Sequence, residues 1–271
     1  MLEIDCEIVT KVLVKFIKDN VYKNKFKNGI LGVSGGIDSA VILALTQRAL
    51  GSDCTFGLLM PYKLSSDDSL AHGIKICDQL DVKYDTVDIS PSVDAYFDRF
   101  GTGEKVLIGN KCARERMSVL YDFSMRKRAL VVGTSNKSEL LIGYSTLFGD
   151  SAAAFLPIGD LYKTQVFALA RYLKIPEEII NKKPTADLWD NQTDEGEIGV
   201  TYKELDDILF YLIEKRKRVG DIEKMGYSRA TIDKIRYMII NSQFKRTMPP
   251  VAKLQNRTIG SDFRYLRDWF K

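Results

Sequence analysis

Apolar side chains recur at helical spacing over the first twenty residues, at Ile4, Ile8, Val12 and Phe16, and predict an amphipathic helix. The pattern then changes. Short, near-continuous apolar runs at 29–34, 54–60, 82–89 and 129–133 alternate with helix-length segments at 37–50, 67–80, 105–128 and from 136 onward. Runs without a polar side are those of strands covered on both faces, and strand–helix alternation implies βαβ units on a parallel sheet. After about residue 150 the strand signal fades. Helices are expected at 161–173, 202–216 and 229–241, and the polar, acid-rich stretch 181–200 reads as a loop.

Composition narrows the chemistry more than the fold. A chain of 271 residues, 45% hydrophobic and 28% charged, fits one large or two modest globular domains and excludes collagen-like, disordered and disulfide-scaffold classes. The single histidine, His72, rules out two-histidine zinc cages, and it is expected on an exposed helix face. The four cysteines, Cys6, Cys54, Cys77 and Cys112, form no CxxC pair and read as small buried hydrophobes of a reduced protein. The N-terminus mixes acids with its apolar residues, unlike a secretion signal, and no run reaches the ~18 apolar residues of a membrane span. A cytoplasmic protein with no membrane partner is expected. The net charge of +4 is too mild to indicate nucleic acid. It is unevenly spread: residues 211–271 carry 15 basic against 6 acidic side chains, and residues 1–210 carry 25 against 30. A basic end of this kind is a solvated helical face, or a surface for an anionic ligand or a second subunit.

The stretch Gly32, Val33, Ser34, Gly35, Gly36, Ile37, Asp38 and Ser39 follows the first strand run and opens a helix. Backbone N–H groups and the helix dipole converge there on an anion. Gly35 and Gly36 allow close approach and positive φ, and Ser34 and Ser39 add hydroxyls. Asp38 would repel a bare phosphate. It makes sense as a carboxylate holding Mg2+ against phosphates, or as a complement to the helix dipole in an ordinary strand–helix turn. The loop matches neither GxxxxGK[ST] nor GxGxxG.

This SGGIDS loop resembles the pyrophosphate loop of the ATP pyrophosphatases of the adenine-nucleotide alpha-hydrolase superfamily. Further segments resemble NAD synthetases. Asn110 to Met117 is similar to their N-x-x-A-R-x-R-M helix, and Gly133-Thr134 through Glu139 to their G-T-x-x-x-x-E segment. Gly143 to Asp150 is similar to G-[FY]-x-T-x-[FY]-G-D, Leu161-Tyr162-Lys163 to L-x-K, and Lys183-Pro184-Thr185-Ala186-Asp187-Leu188 to K-x-P-T-A-D-L. The matches follow the family's order from residue 32 to about 200, with a weaker one at Lys245-Arg246.

The resemblance implies an α/β fold, a Rossmann-like three-layer αβα with a five-stranded parallel sheet and C-terminal helices. It implies one NAD synthetase domain over 1–271: a nucleotide-binding core over 1–180, a flexible loop at 181–200 and a helical part over 201–271. The implied activity is ATP-dependent amidation of deamido-NAD by ammonia, through an adenylated nicotinate, giving NAD, AMP and pyrophosphate. ATP is then expected on loop residues 32–39, Thr134, Lys163 and Thr185, and Mg2+ on Asp38 and Glu139. Deamido-NAD is expected on Arg114, Leu147, Asp150 and Lys245. Asp150 and Lys163 would be catalytic, Asp150 as proton acceptor or holder for ammonium. Read from the residues alone, Glu139 three places after Asn136 is also a capping-box pattern, and Thr185 after Pro184 a turn cap.

Leu147 and Ala154 stand where such synthetases often carry Lys and Asp, and Phe244-Lys245 stands for a His-Lys pair. These departures bear on the dinucleotide contacts and leave the ATP half intact. The resemblance further implies a homodimer. Glutamine-using members carry an additional nitrilase-like domain, for which 271 residues leave no room, so the expected nitrogen donor is free ammonia, or ammonia from a separate partner. The same loop also fits GMP synthetase, a tRNA-thiolating enzyme using Cys112, or a non-catalytic nucleotide sensor. The KPTADL segment, the scattered cysteines and the retained Asp38, Glu139 and Lys163 argue against these in turn.

Overall fold

The apolar runs become four parallel strands, β1 (Asn28–Gly32), β2 (Thr55–Leu59), β3 (Lys83–Thr86) and β4 (Ala129–Val131), in the order β3-β2-β1-β4. The computed structural model describes residues 2–101, 104–185, 187 and 192–259. Ile30 lies between Phe56 on one neighbour and Val131 on the other. Because side chains alternate across a strand, Ile30 and Leu58 face one layer of helices while Leu31 and Leu59 face the other.

The first layer is α5 (Lys105–Lys127), with Leu120 buried against Ile30, Leu58 and Val131. α4 (Ser90–Phe100) packs beside it. The second layer is α1 (Cys6–Lys23), α2 (Ile37–Leu50) and α7 (Lys163–Tyr172), packed side by side, with α3 (Asp67–Gln79) and α8 (Glu177–Asn181) next to α2. α2 is buried nearly all round, as a helix between sheet and outer helices must be. A separate apolar cluster joins α6 (Lys137–Ile142) to α10 (Tyr202–Leu209), α11 (Val219–Glu223) and α12 (Arg229–Asn241).

The expected five-stranded sheet has four strands among the described residues. Among the described residues, Val132 and Phe155 form a further parallel bridge beyond β4, with Gly133 N–H donating to the Phe155 carbonyl at 3.0 Å. Pro157 has no N–H to extend a ladder, and the chain turns where Gly159 N–H reaches the Leu156 carbonyl at 3.2 Å.

The stretch 181–200 is not wholly loop. α8 ends at Asn181, and a one-turn helix, α9 (Asp194–Ile198), is capped by the Thr193 hydroxyl. Residues 186 and 188–191 lie outside the described residues, as does 260–271 of the helical C-terminal part. The helix expected at 202–216 widens after Leu209 into a π-helical turn, Phe210–Glu214, and ends there, with Arg216 just beyond it at φ 47°. His72 is half-buried rather than exposed, and its Nδ1 has no hydrogen-bond partner among the described residues. Of the cysteines, Cys77 and Cys112 are buried and Cys6 and Cys54 are half-buried; all four are free. No helix among the described residues is long and apolar enough to cross a membrane.

Candidate active site

From β1 the connections run outward to β2 and β3, and β4 returns on the other side of β1. The ends of β1 and β4 therefore flank the point where the strand order reverses, which is where open α/β sheets place ligands. A cleft of about 570 Å³ opens there. Gly32, Val33, Ser34, Gly36, Ile37, Asp38 and Ser39 line it after β1, and Thr134 lines it after β4.

Gly35 takes φ +74°, and a Cβ there would lie 2.0 Å from the Ser69 carbonyl oxygen of α3. Only glycine lets the loop run so close to that helix. α2 starts from an extended Gly36, and among the described residues no side chain caps it, so its first N–H groups remain for a ligand at the cleft floor. The Ser39 hydroxyl donates to the Gly36 carbonyl at 2.9 Å and accepts from Ser34 N–H at 3.3 Å, which fixes the turn.

Three charged side chains meet beside this turn. Lys163 Nζ donates to Asp38 Oδ2 at 2.5 Å and to Glu139 Oε1 at 3.1 Å. Asn136 Nδ2 donates to the other Asp38 oxygen at 3.0 Å. The capping box is also present: Glu139 N–H donates to Asn136 Oδ1 at 3.1 Å, and Glu139 Oε2 accepts from Asn136 N–H at 3.4 Å. Glu139 thus caps its helix with one oxygen and faces Lys163 with the other.

Lys163 is 2% exposed. Burial alone would lower its ammonium, but Asp38 and then Glu139 overcome this and hold it well above the ordinary lysine range. Glu139 is pushed up to about 7, chiefly by burial and also by Asp38, against the pull of Lys163. Two carboxylates against one ammonium leave the cluster short of positive charge.

The backbone of Lys163 is held from two sides. Its N–H donates to Ser138 Oγ at 2.9 Å, and Thr164 N–H donates to Asp206 Oδ2 at 2.8 Å. Asp206 is fully buried, and its other oxygen accepts from the Ser138 hydroxyl at 2.5 Å. A carboxylate from α10 therefore stands at the positive end of α7, bonded to the residue next to Lys163.

Thr146, Asp150 and Lys245 line the same cleft. Thr146 N–H donates to Asp150 Oδ1 at 2.7 Å. Burial raises the Asp150 carboxyl, opposed by that N–H and by Lys245. Lys245 Nζ donates to the carbonyls of Gly143 and Ser145 at 2.7 and 2.6 Å, tying the C-terminal part to the 143–150 turn. Thr185 lines the cleft and accepts from Asp187 N–H at 3.0 Å. Ala186 and Leu188 of the same segment are not among the described residues.

Arg114 and Leu147 do not line the cleft; they touch each other, Arg114 Nε donating to the Leu147 carbonyl at 3.3 Å. It is Arg116 that reaches the cavity, donating to the Met60 carbonyl at 3.0 Å. Its place two residues after Arg114 in the same motif was the available signal. Asn136, Ser138 and Asp206 also escaped notice: Asn136 reads as a helix cap, and the other two act through tertiary contacts. Burial raises the Cys112 thiol and Cys112 does not line the cleft, so thiolate chemistry there has no support.

A sequence profile for NAD synthase matches residues 9–249. The chain is 48% identical over 268 residues to the NH3-dependent NAD+ synthetase of Chlorobium phaeobacteroides strain DSM 266, covering 99% of this chain and 97% of that one. Among solved structures it is similar to the NH3-dependent NAD synthetase of Campylobacter jejuni, with TM-score 0.80 and 34% identity over 93% of this chain and 100% of that one. It is also similar to the NMN synthetase of Francisella tularensis, with TM-score 0.82 and 31% identity over 92% and 99%.

Proposed function

The chain belongs to the NAD synthase family, and on that footing we propose that its cleft amidates deamido-NAD with ammonia, consuming ATP and releasing AMP and pyrophosphate. The chain is an ammonia-dependent ligase forming a C–N bond. The observation that carries the reading is the Lys163 ammonium held between Asp38 and Glu139 beside the uncapped start of α2. That arrangement suits a triphosphate.

In the first step the nicotinate carboxylate attacks the α-phosphorus of ATP, and pyrophosphate leaves. Residues 32–39 of the loop, with Thr134, Lys163 and Thr185, hold the nucleotide. The loop N–H groups and Lys163 stabilise negative charge as it gathers on the leaving group. In the second step ammonia attacks the acyl carbon and AMP departs. Ammonium must first lose a proton. Asp150 is a suitable acceptor because a raised carboxyl matches its proton affinity more closely to the donor's. Lys245 and Asp150 are assigned to the deamido-NAD side, with Arg114 and Leu147 beside the same turn.

The donor set fits Mg2+. Two hard oxygen ligands, Asp38 and Glu139, already converge on one cation and carry excess negative charge. When bound, Mg2+ neutralises charge on the phosphates. A homodimer is supported by the large exposed apolar side chains Tyr96, Phe100, Val106 and Leu107 of α4 and α5, and a cytoplasmic setting by the free cysteines. One domain over 1–271 is supported by Asp206 and Lys245, which tie the helical part to the site.

The test is direct. Incubate the protein with ATP, Mg2+, deamido-NAD and ammonium, and follow NAD and pyrophosphate in equal amounts. Folded protein that forms no NAD would sink the reading. A parallel arm with nicotinate mononucleotide measures whether the cleft also makes the product for which the Francisella neighbour is named.

A further inference from the structure

The ring of Tyr202, which takes no part in the cleft wall, lies with its centroid 5.0 Å from Lys163 Nζ. Tyr202 opens α10, is 3% exposed and sits in the C-terminal apolar cluster. Its hydroxyl donates to Asp194 Oδ2 at 3.0 Å, and its N–H to Glu195 Oε1 at 2.7 Å. Asp194 is 5% exposed. Its N–H donates to the Pro184 carbonyl at 2.9 Å, and its Oδ1 accepts from the Tyr144 hydroxyl at 3.1 Å. One residue thus joins three parts of the site: through its N–H the segment carrying Thr185, and through its carboxylate the turn carrying Asp150 and the ring beside the lysine.

Asp38 and Glu139 hold Lys163, and they are also the groups assigned to a divalent cation. Were they to turn to that cation, the described residues would leave the ammonium the aromatic ring in contact and the charge of Asp194 behind it. We infer that Tyr202 is a positioning residue that holds the Lys163 ammonium at the cleft floor while ATP and its cation are bound, and that Asp194 fixes Tyr202 in that pose. A ring face attracts a cation through its quadrupole. It brings no formal charge, so unlike a third carboxylate it neither captures the metal nor draws the lysine away from phosphate. The inference rests on the reading that the cleft takes ATP with a divalent cation.

Two measurements test it. The first is calorimetric binding of α,β-methylene ATP with Mg2+, alongside steady-state KM values, in Tyr202→Leu and Tyr202→Phe. Tyr202→Leu should weaken analogue binding and raise KM for ATP by about five- to thirty-fold, the scale of one desolvated cation–π contact, with KM for ammonium unchanged. Tyr202→Phe keeps the ring and should recover most of the loss. A general loss of folded protein would lower kcat and leave both KM values alone. Wild-type analogue affinity in folded Tyr202→Leu would overturn the inference.

The second measurement needs no variant at position 202. In protein labelled at lysine, the Lys163 Cε protons should be shifted upfield by the ring current, and the shift should persist when Mg2+ and the analogue are added. Its disappearance on addition would also overturn the inference. Wild-type protein that binds the analogue but makes no NAD would fail the functional reading and leave this one standing.

Discussion

Asp38 and Lys163 are 125 residues apart in the chain, yet a carboxylate oxygen of one lies 2.5 Å from the ammonium of the other. The contact joins the start of α2 to the start of α7 with Lys163 almost wholly buried. Removing one partner of such a pair leaves the other charge poorly compensated. Asp38→Ala should lower kcat for NAD formation by about a hundred- to a thousandfold, with a cooperative thermal transition retained because Glu139 still faces the lysine. Turnover near wild type would remove Asp38 from the site.

Glu139 sets a pH dependence. Its carboxyl is raised from an ordinary 4.5 to about 7, so between those values the folded chain holds a proton that the unfolded chain has lost. Stability must then fall as pH rises through that interval, by up to a few kcal/mol. Denaturant unfolding of metal-free wild type and Glu139→Gln across pH 4.5 to 7.5 should show wild type losing ground to the variant as pH rises. Parallel curves would refute it.

Gly35→Ala combines a left-handed backbone with a collision. The conformation costs about 1–3 kcal/mol, and the new Cβ would meet the Ser69 carbonyl at 2.0 Å, so the loop or α3 must shift. The variant should melt several degrees lower and lose measurable binding of an ATP analogue. Analogue binding at wild-type strength would mean that the loop does not hold the nucleotide.

Lys245→Met removes the two bonds that fasten the 143–150 turn. The expected result is a rise of about tenfold in KM for deamido-NAD, with KM for ATP unchanged. An equal rise in both would place Lys245 among general supports of the fold.

Much of the architecture was legible because local signals agreed with the tertiary result. α12 falls where the apolar period places it, started by the Ser228 cap, and α2 where a helix-length apolar segment is bracketed by Gly36 and Gly51. α4 escaped because Val93, Phe97 and Phe100 follow directly on the apolar end of the third strand run. α9 and α11 have five residues each, too few for a period to show. That the Gly32–Ser39 turn, Glu139 and Lys163 belong together was readable from their motifs, and the three meet in one cleft. Asp206 and Tyr202 were not, since each gains its role from a contact across more than 35 positions in the chain. The fifth strand came from family resemblance alone, and a single bridge stands in its place.

Asp206 carries a consequence for exchange between relatives. Its carboxylate from α10 meets Ser138 on α6 and Thr164 on α7. A chimera that joins the sheet of one synthetase to the C-terminal helices of another inherits this joint from two parents. If one parent lacks a partner, the first amides of α7 lose their acceptor and Lys163 loses its footing, however well each half packs. Viable crossovers should therefore keep these three positions from one parent, even where the seam lies far from the cleft.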